Sequence, residues 1–175
     1  MQAGKHIFTG TAGTYYVMFR LAAEGIHASC THGNAPNVDI LVSSADGSRA
    51  VSIEVKTTEH ALRLRGRGTA KQPDHLEFPL GARAAKLNNP SLVIVFVDLR
   101  AFTPERVPQV YVFPSAFVAQ YCASWVDSVK MVRFHIPITA AEPYKENWDV
   151  IRNALRAEPL QPNQAMQPTA GRSDA

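Results

Sequence analysis

The sequence predicts a three-layer α/β fold, a central mixed β-sheet flanked by helices, on three observations. Ser91 to Leu99 is a strand apolar on both faces, with Val93, Val95 and Val97 on one and Leu92, Ile94 and Phe96 on the other. Such a strand must be covered on both sides. Val38–Val42 and Ala50–Thr57 are strand-like runs joined by the turn residues Ala45-Asp46-Gly47-Ser48, the pattern of a β-hairpin. Helical patterns lie before this hairpin and after the long strand.

Each element has its own local cause. Tyr15 to Ala23 reads as a helix capped by Thr9 or Thr11, with Val17, Leu21 and the pair Met18/Ala22 on its inner stripe and Gly25 as its stop. Ile26–Cys30 reads as a short strand, and His32–Pro36 as a loop. In the second hairpin strand Val51, Ile53 and Val55 alternate with Ser52, Glu54 and Lys56, so one face is core and the other presents an acid beside a base. Thr58 to about Pro73 lacks periodicity and reads as a basic loop, and Gly81–Leu87 as a short helix. Asp98 reads as an exposed strand end, Gln109–Phe113 as a strand, and Pro114–Trp125 as a helix with proline in its first turn. Lys130–Ile136 is a further strand, and Pro143–Leu155 a helix packing Trp148, Ile151 and Leu155. Residues 1–156 form one domain on this reading. Residues 157–175, rich in proline and amide side chains and poor in large apolar ones, form a disordered tail.

Composition limits the class. With 46% hydrophobic and 19% charged residues the chain can build a core, which excludes a wholly disordered protein. The longest apolar run, Leu92–Val97, falls far short of the ~20 residues that cross a bilayer. No secretion signal is visible, and Cys30 and Cys122 show no metal-ligand spacing. A reducing, cytoplasmic setting without a membrane role is expected.

Charge points to a partner class. The net charge is +3, and Arg63, Arg65, Arg67 and Lys71 stand in a glycine-spaced segment that holds no acid between Ala61 and Lys71. A polyanion would meet such a segment first; a solubilising surface loop is the plainer alternative.

The hairpin carries the chemistry. Neighbouring strands lie about 4.8 Å apart and i,i+2 side chains about 6.6 Å apart, so Asp39, Glu54 and Lys56 can meet at one spot. Two adjacent carboxylates repel unless a proton or cation lies between them, and Mg²⁺ is commonly held by one or two carboxylates plus water and phosphate. Lys56 could then orient or deprotonate a water, or offset charge on a phosphorane-like transition state. Alternatively Glu54 and Lys56 make only an exposed ion pair, worth ~0–1 kcal/mol.

Asp39, followed after the turn by Glu54-Val55-Lys56, resembles the D…(D/E)-x-K signature of the PD-(D/E)XK nuclease superfamily. The order of elements from Thr9 to Ala119 is similar as well. The resemblance implies a restriction-endonuclease-like core and a Mg²⁺- or Mn²⁺-dependent endonuclease hydrolysing phosphodiester bonds in nucleic acid, DNA in the first instance. It implies Asp39, Glu54 and the Val55 carbonyl as metal ligands, with Lys56 as base or water-positioning group. Arg63, Arg65, Arg67 and Lys71 would bind the nucleic acid, in a homodimer or a larger repair or defence assembly. Two positions depart from the pattern: Val38 precedes Asp39 where the motif has proline, and Thr14 stands where many members carry a helix carboxylate. The second departure supports an alternative, a weak or inactive nuclease-fold protein that binds nucleic acid or a protein partner.

Other motifs point nowhere in particular. The six histidines have no H-x(3)-H or HExxH spacing and read as scattered surface or core residues. Gly10-Thr11-Ala12-Gly13 lacks the Lys-Ser/Thr ending of a phosphate loop. Tyr15 and Tyr16 read as core and rim.

Overall fold

The computed structural model describes residues 5–32, 37–102, 106–129 and 131–156; the expected tail, 157–175, lies outside them. Helix α1 (Lys5–Ala23) leads into β1 (Ala28–Cys30), β2 (Ile40–Ser43) and β3 (Ala50–Thr58). A second group follows, β4 (Leu62–Arg65) and β5 (Gln72–Pro79), then β6 (Leu92–Asp98), β7 (Gln109–Pro114) and α2 (Ser115–Cys122). The described chain closes with β8 (Arg133–Pro137), α3 (Ile138–Ala141) and α4 (Asp149–Arg156).

The central sheet is mixed, in the order β1-β2-β3-β6-β7, with β3 and β6 parallel and the other neighbours antiparallel. On one face Val17 and Leu21 of α1, Ile151 of α4 and Trp148 just ahead of α4 pack against Ile40, Ile53, Val93, Val95 and Val112. On the other, Ile94, Phe96 and Phe113 pack against Phe78, Phe134 and Ile136 of a second, three-stranded sheet and against Val118 and Cys122 of α2. Phe96 stacks on Phe134 with ring centroids 4.8 Å apart and planes 4° from parallel. The α/β architecture with a sheet between covering layers is as expected, but one cover is partly β.

In that second sheet, β4-β5-β8, β4 and the start of β5 replace the expected loop, while β8 lies where a strand was expected. Leu76, Phe78, Phe134 and Ile136 point inward, whereas Glu77 and His135 face each other outside. Period-two burial decides the matter, because Leu76 and Phe78 bury against Phe96 only if this segment is extended. Arg63 and Arg65 therefore sit on a strand rather than in an irregular loop.

Three further boundaries differ. Helix α1 begins ahead of the expected Thr caps, so Gly10 and Gly13 lie within it. Its stop is as expected: Gly25 takes φ +70°, and Ile26 N–H donates back to the Leu21 carbonyl at 2.8 Å. Asp98 is buried, not exposed, because Arg100 and Ala101 take positive φ and turn the chain back; the Arg100 N–H donates to the Asp98 carboxylate at 2.9 Å. The expected helix from Pro143 is broken by Glu146 at φ +51°, leaving a helical turn and then α4, with Trp148 and Ile151 buried as their spacing implied.

Candidate active site

The site is built on β3 at the middle of the central sheet. Glu54 and Lys56 point to the same side of this strand, and the Lys56 Nζ lies 2.5 Å from Glu54 Oε1. Both pair in register with β6 residues of the inner aromatic face, Glu54 with Ile94 and Lys56 with Phe96. Glu54 is consequently almost fully buried, at 4% exposure, while the longer Lys56 side chain reaches outward. The plain surface ion pair is not what forms.

The second oxygen of that carboxylate is the unusual atom. Glu54 Oε2 is buried and has no hydrogen-bond partner among the described residues. A buried carboxyl oxygen left without a hydrogen bond costs about 1–3 kcal/mol. Such an atom commonly marks a functional site or an ion.

Asp39 lies one residue ahead of β2, beside the Ile40–Ile53 pair. Its own N–H donates to the Ile53 carbonyl at 2.8 Å, and its Oδ2 accepts the Val55 N–H at 2.7 Å. Asp39 is thus fixed to the residue between Glu54 and Lys56. It opens into a cleft of about 310 Å³ with Thr11, Thr14, Tyr15, Thr31 and Val55. Lys56 opens into another, of about 320 Å³, with Pro79, Gly81, Met131 and Arg133. Residues 54–56 connect the two, but Asp39 and Lys56 line separate clefts. Thr14 faces the Asp39 cleft at the position where a helix carboxylate is absent, and its hydroxyl donates to the Gly10 carbonyl at 3.2 Å. Glu24, the residue after α1, is engaged by Arg152 at 2.8 Å.

The cations divide. Arg65, Arg67 and Lys71 are exposed and make no ion pair among the described residues. Arg63 is committed: its Nη2 lies 3.2 Å from Glu77 Oε1, to which Arg133 also donates at 2.7 Å. Burial pushes the Glu77 carboxyl up, but Arg63, with Arg133 and His135, outweighs it and holds the group below the ordinary value. Arg63 and Arg133 line a cleft of about 430 Å³ together with Thr57, Thr58 and His60. Arg133 and Glu77 were not singled out in the sequence. Their signal was the alternation of polar residues with Leu76, Phe78, Phe134 and Ile136.

Gly13 explains how α1 approaches this strand. A Cβ there would stand 1.9 Å from Thr57 Oγ1, so only glycine lets the helix lie this close. Tyr15 is 66% exposed, not core, and stands at the mouth of the Asp39 cleft.

No protein-family model and no curated protein matches the chain. Among solved structures it is similar to a bacterial homing endonuclease, I-Ssp6803I, with a TM-score of 0.51 and 13% sequence identity, over 87% of this chain and 97% of that one. At that identity the likeness is one of fold. No helix among the described residues is long and apolar enough to cross a membrane.

Proposed function

We propose that the protein is a metal-dependent nuclease that hydrolyses phosphodiester bonds in DNA. The single observation that carries this reading is the buried, unpartnered Oε2 of Glu54 beside the Lys56 ammonium, with Asp39 bonded to the intervening Val55. The fold shared with a homing endonuclease supports it. The donor set suits Mg²⁺ or Mn²⁺, hard ions that favour carboxylate and carbonyl oxygens: Glu54, Asp39 and the Val55 carbonyl would hold the ion. When bound, it would supply Lewis-acid stabilisation of charge on the phosphoryl oxygens. Lys56 would turn its ammonium from Glu54 to the attacking water and hold it in line with phosphorus. The water oxygen bonds to phosphorus as the P–O bond to the leaving oxygen breaks; the water gives its proton to bulk solvent, and the leaving oxygen takes one from solvent. Arg65, Arg67 and Lys71, exposed on and after β4, would contact phosphates and position the backbone without reading bases.

A second reading, a nuclease-fold protein that binds nucleic acid without cutting it, is favoured by one observation. Thr14 lines the Asp39 cleft where a further carboxylate would strengthen cation binding. Incubation of supercoiled plasmid with Mg²⁺ or Mn²⁺ separates the two. The nuclease converts it to nicked or linear DNA and Glu54→Gln does not; retardation without conversion by the wild-type protein supports the second reading.

A further inference from the structure

His135 is far in the sequence from His75 and Glu77, but the pairing of β5 with β8 brings the three together on the outer face of the second sheet. His75 and Glu77 lie two apart on β5 and share that face, and Glu77 is directly across from His135. One ligand atom from each lies within 4.8 Å of the others. His135 Nδ1 is already 3.4 Å from Glu77 Oε2, close to the ~3.3 Å edge of a tetrahedron with metal bonds of about 2.0–2.1 Å.

We propose that these three residues form a zinc-binding clip joining β5 to β8. Two imidazoles and one carboxylate, with a water in the fourth position, match the preference of Zn²⁺ for nitrogen and oxygen donors. Asp74 Oδ2 lies 2.9 Å from His75 Nδ1, and a carboxylate there would hold Nδ1 and leave Nε2 as the nitrogen for the metal. Arg63 and Arg133 both engage Glu77 Oε1, leaving Oε2 for the ion. Their charges oppose a cation, and Asp74 and Glu77 offset them. The clip is separate from the Glu54 site and does not depend on the nuclease reading.

The test is titration of the metal-stripped full chain with ZnCl₂, followed by melting temperature, and with CoCl₂, followed by visible absorption. It is run on the wild type, His135→Ala, Asp74→Asn and Glu54→Gln. His135 is 48% exposed on its side chain, so its replacement leaves the fold intact, and circular dichroism checks this. We expect a zinc-dependent rise in melting temperature and a tetrahedral cobalt band in wild type and in Glu54→Gln. Asp74→Asn should weaken binding by about 10–100-fold, and His135→Ala by more. Zinc binding of wild-type strength in His135→Ala, or no cobalt band in the wild type, overturns the proposal.

Discussion

The Lys56 ammonium lies 2.5 Å from one oxygen of Glu54, while the other oxygen of the same carboxylate is buried without a partner among the described residues. A strand in the middle of the sheet thus carries a carboxyl group with one oxygen partnered and the other not. A hard cation bound there would complete the shell. The unfolded chain has no such preformed site, so binding stabilises the fold by mass action.

At 100 times Kd the added Mn²⁺ should contribute about 2.7 kcal/mol, seen as a rise of several degrees in melting temperature. Glu54→Gln and Asp39→Asn should each abolish most of that rise. Lys56→Met removes a positive charge beside the ion, so the rise should persist or increase. Scanning calorimetry over a Mn²⁺ series checks all three; an equal rise in Glu54→Gln would place the ion elsewhere.

Arg63 and Arg65 should separate, although both belong to β4. Arg63 is tied to Glu77, and Arg63→Ser should lower the melting temperature. Arg65→Ser and Arg67→Ser should leave melting unchanged. Each should reduce the slope of log Kobs for DNA against log salt by about 1. Fluorescence anisotropy at several salt concentrations measures it, and unaltered slopes would show that these arginines are only solvated surface.

Gly13→Ala should destabilise by about 1–3 kcal/mol, because the new methyl meets Thr57 Oγ1 and two further Thr57 atoms below 3 Å. Denaturant unfolding gives the value. Adding Thr57→Ala removes Oγ1 and Cγ2 but keeps Cβ at 2.8 Å, so it should recover part of the loss, whereas full additivity would show that the contact is not the cause.

Burial pushes the Cys122 thiol up to about 11 from an ordinary 9.0. Its folded value exceeds the unfolded one, so the stability it contributes is complete below pH 9 and is lost as the pH rises from about 9 towards 11. Cys122→Ala should flatten the alkaline limb of melting temperature against pH. In the native protein at pH 8, half-buried Cys30 should react with a thiol reagent while Cys122 waits for unfolding. Two fast thiols in the native state would contradict the burial argument.

The hairpin was readable because both its strands are amphipathic and Asp46, Gly47 and Ser48 are turn formers, so register and facing of Glu54 and Lys56 followed from alternation alone. β6 was readable for the opposite reason, since a run apolar on both faces has no other place than the middle of a sheet. β5 was not, because Pro73 and Pro79 bracket a short alternating segment and proline argues against a central strand. Here the prolines occupy its ends, and the aromatic layer around Phe96 draws the segment between them into a sheet. The start of α1 was concealed by Gly10 and Gly13, poor helix formers, and the reason for Gly13 lies in Thr57, far along the chain. The pairing of Arg63 and Arg133 through Glu77, and the meeting of His75 with His135, depend on strand neighbours that local periodicity does not encode.

If the proposed function holds, Lys56 positions the attacking water rather than merely balancing Glu54. Single-turnover cleavage of end-labelled duplex and single-stranded DNA across a Mn²⁺ series, with wild type beside Lys56→Ala, measures this directly. The account predicts metal-dependent cleavage by the wild type and a rate about 10²–10⁴-fold lower in Lys56→Ala at saturating metal, with DNA binding retained. Equal rates in the two proteins, or no cleavage of either substrate at any Mn²⁺ concentration, would contradict it.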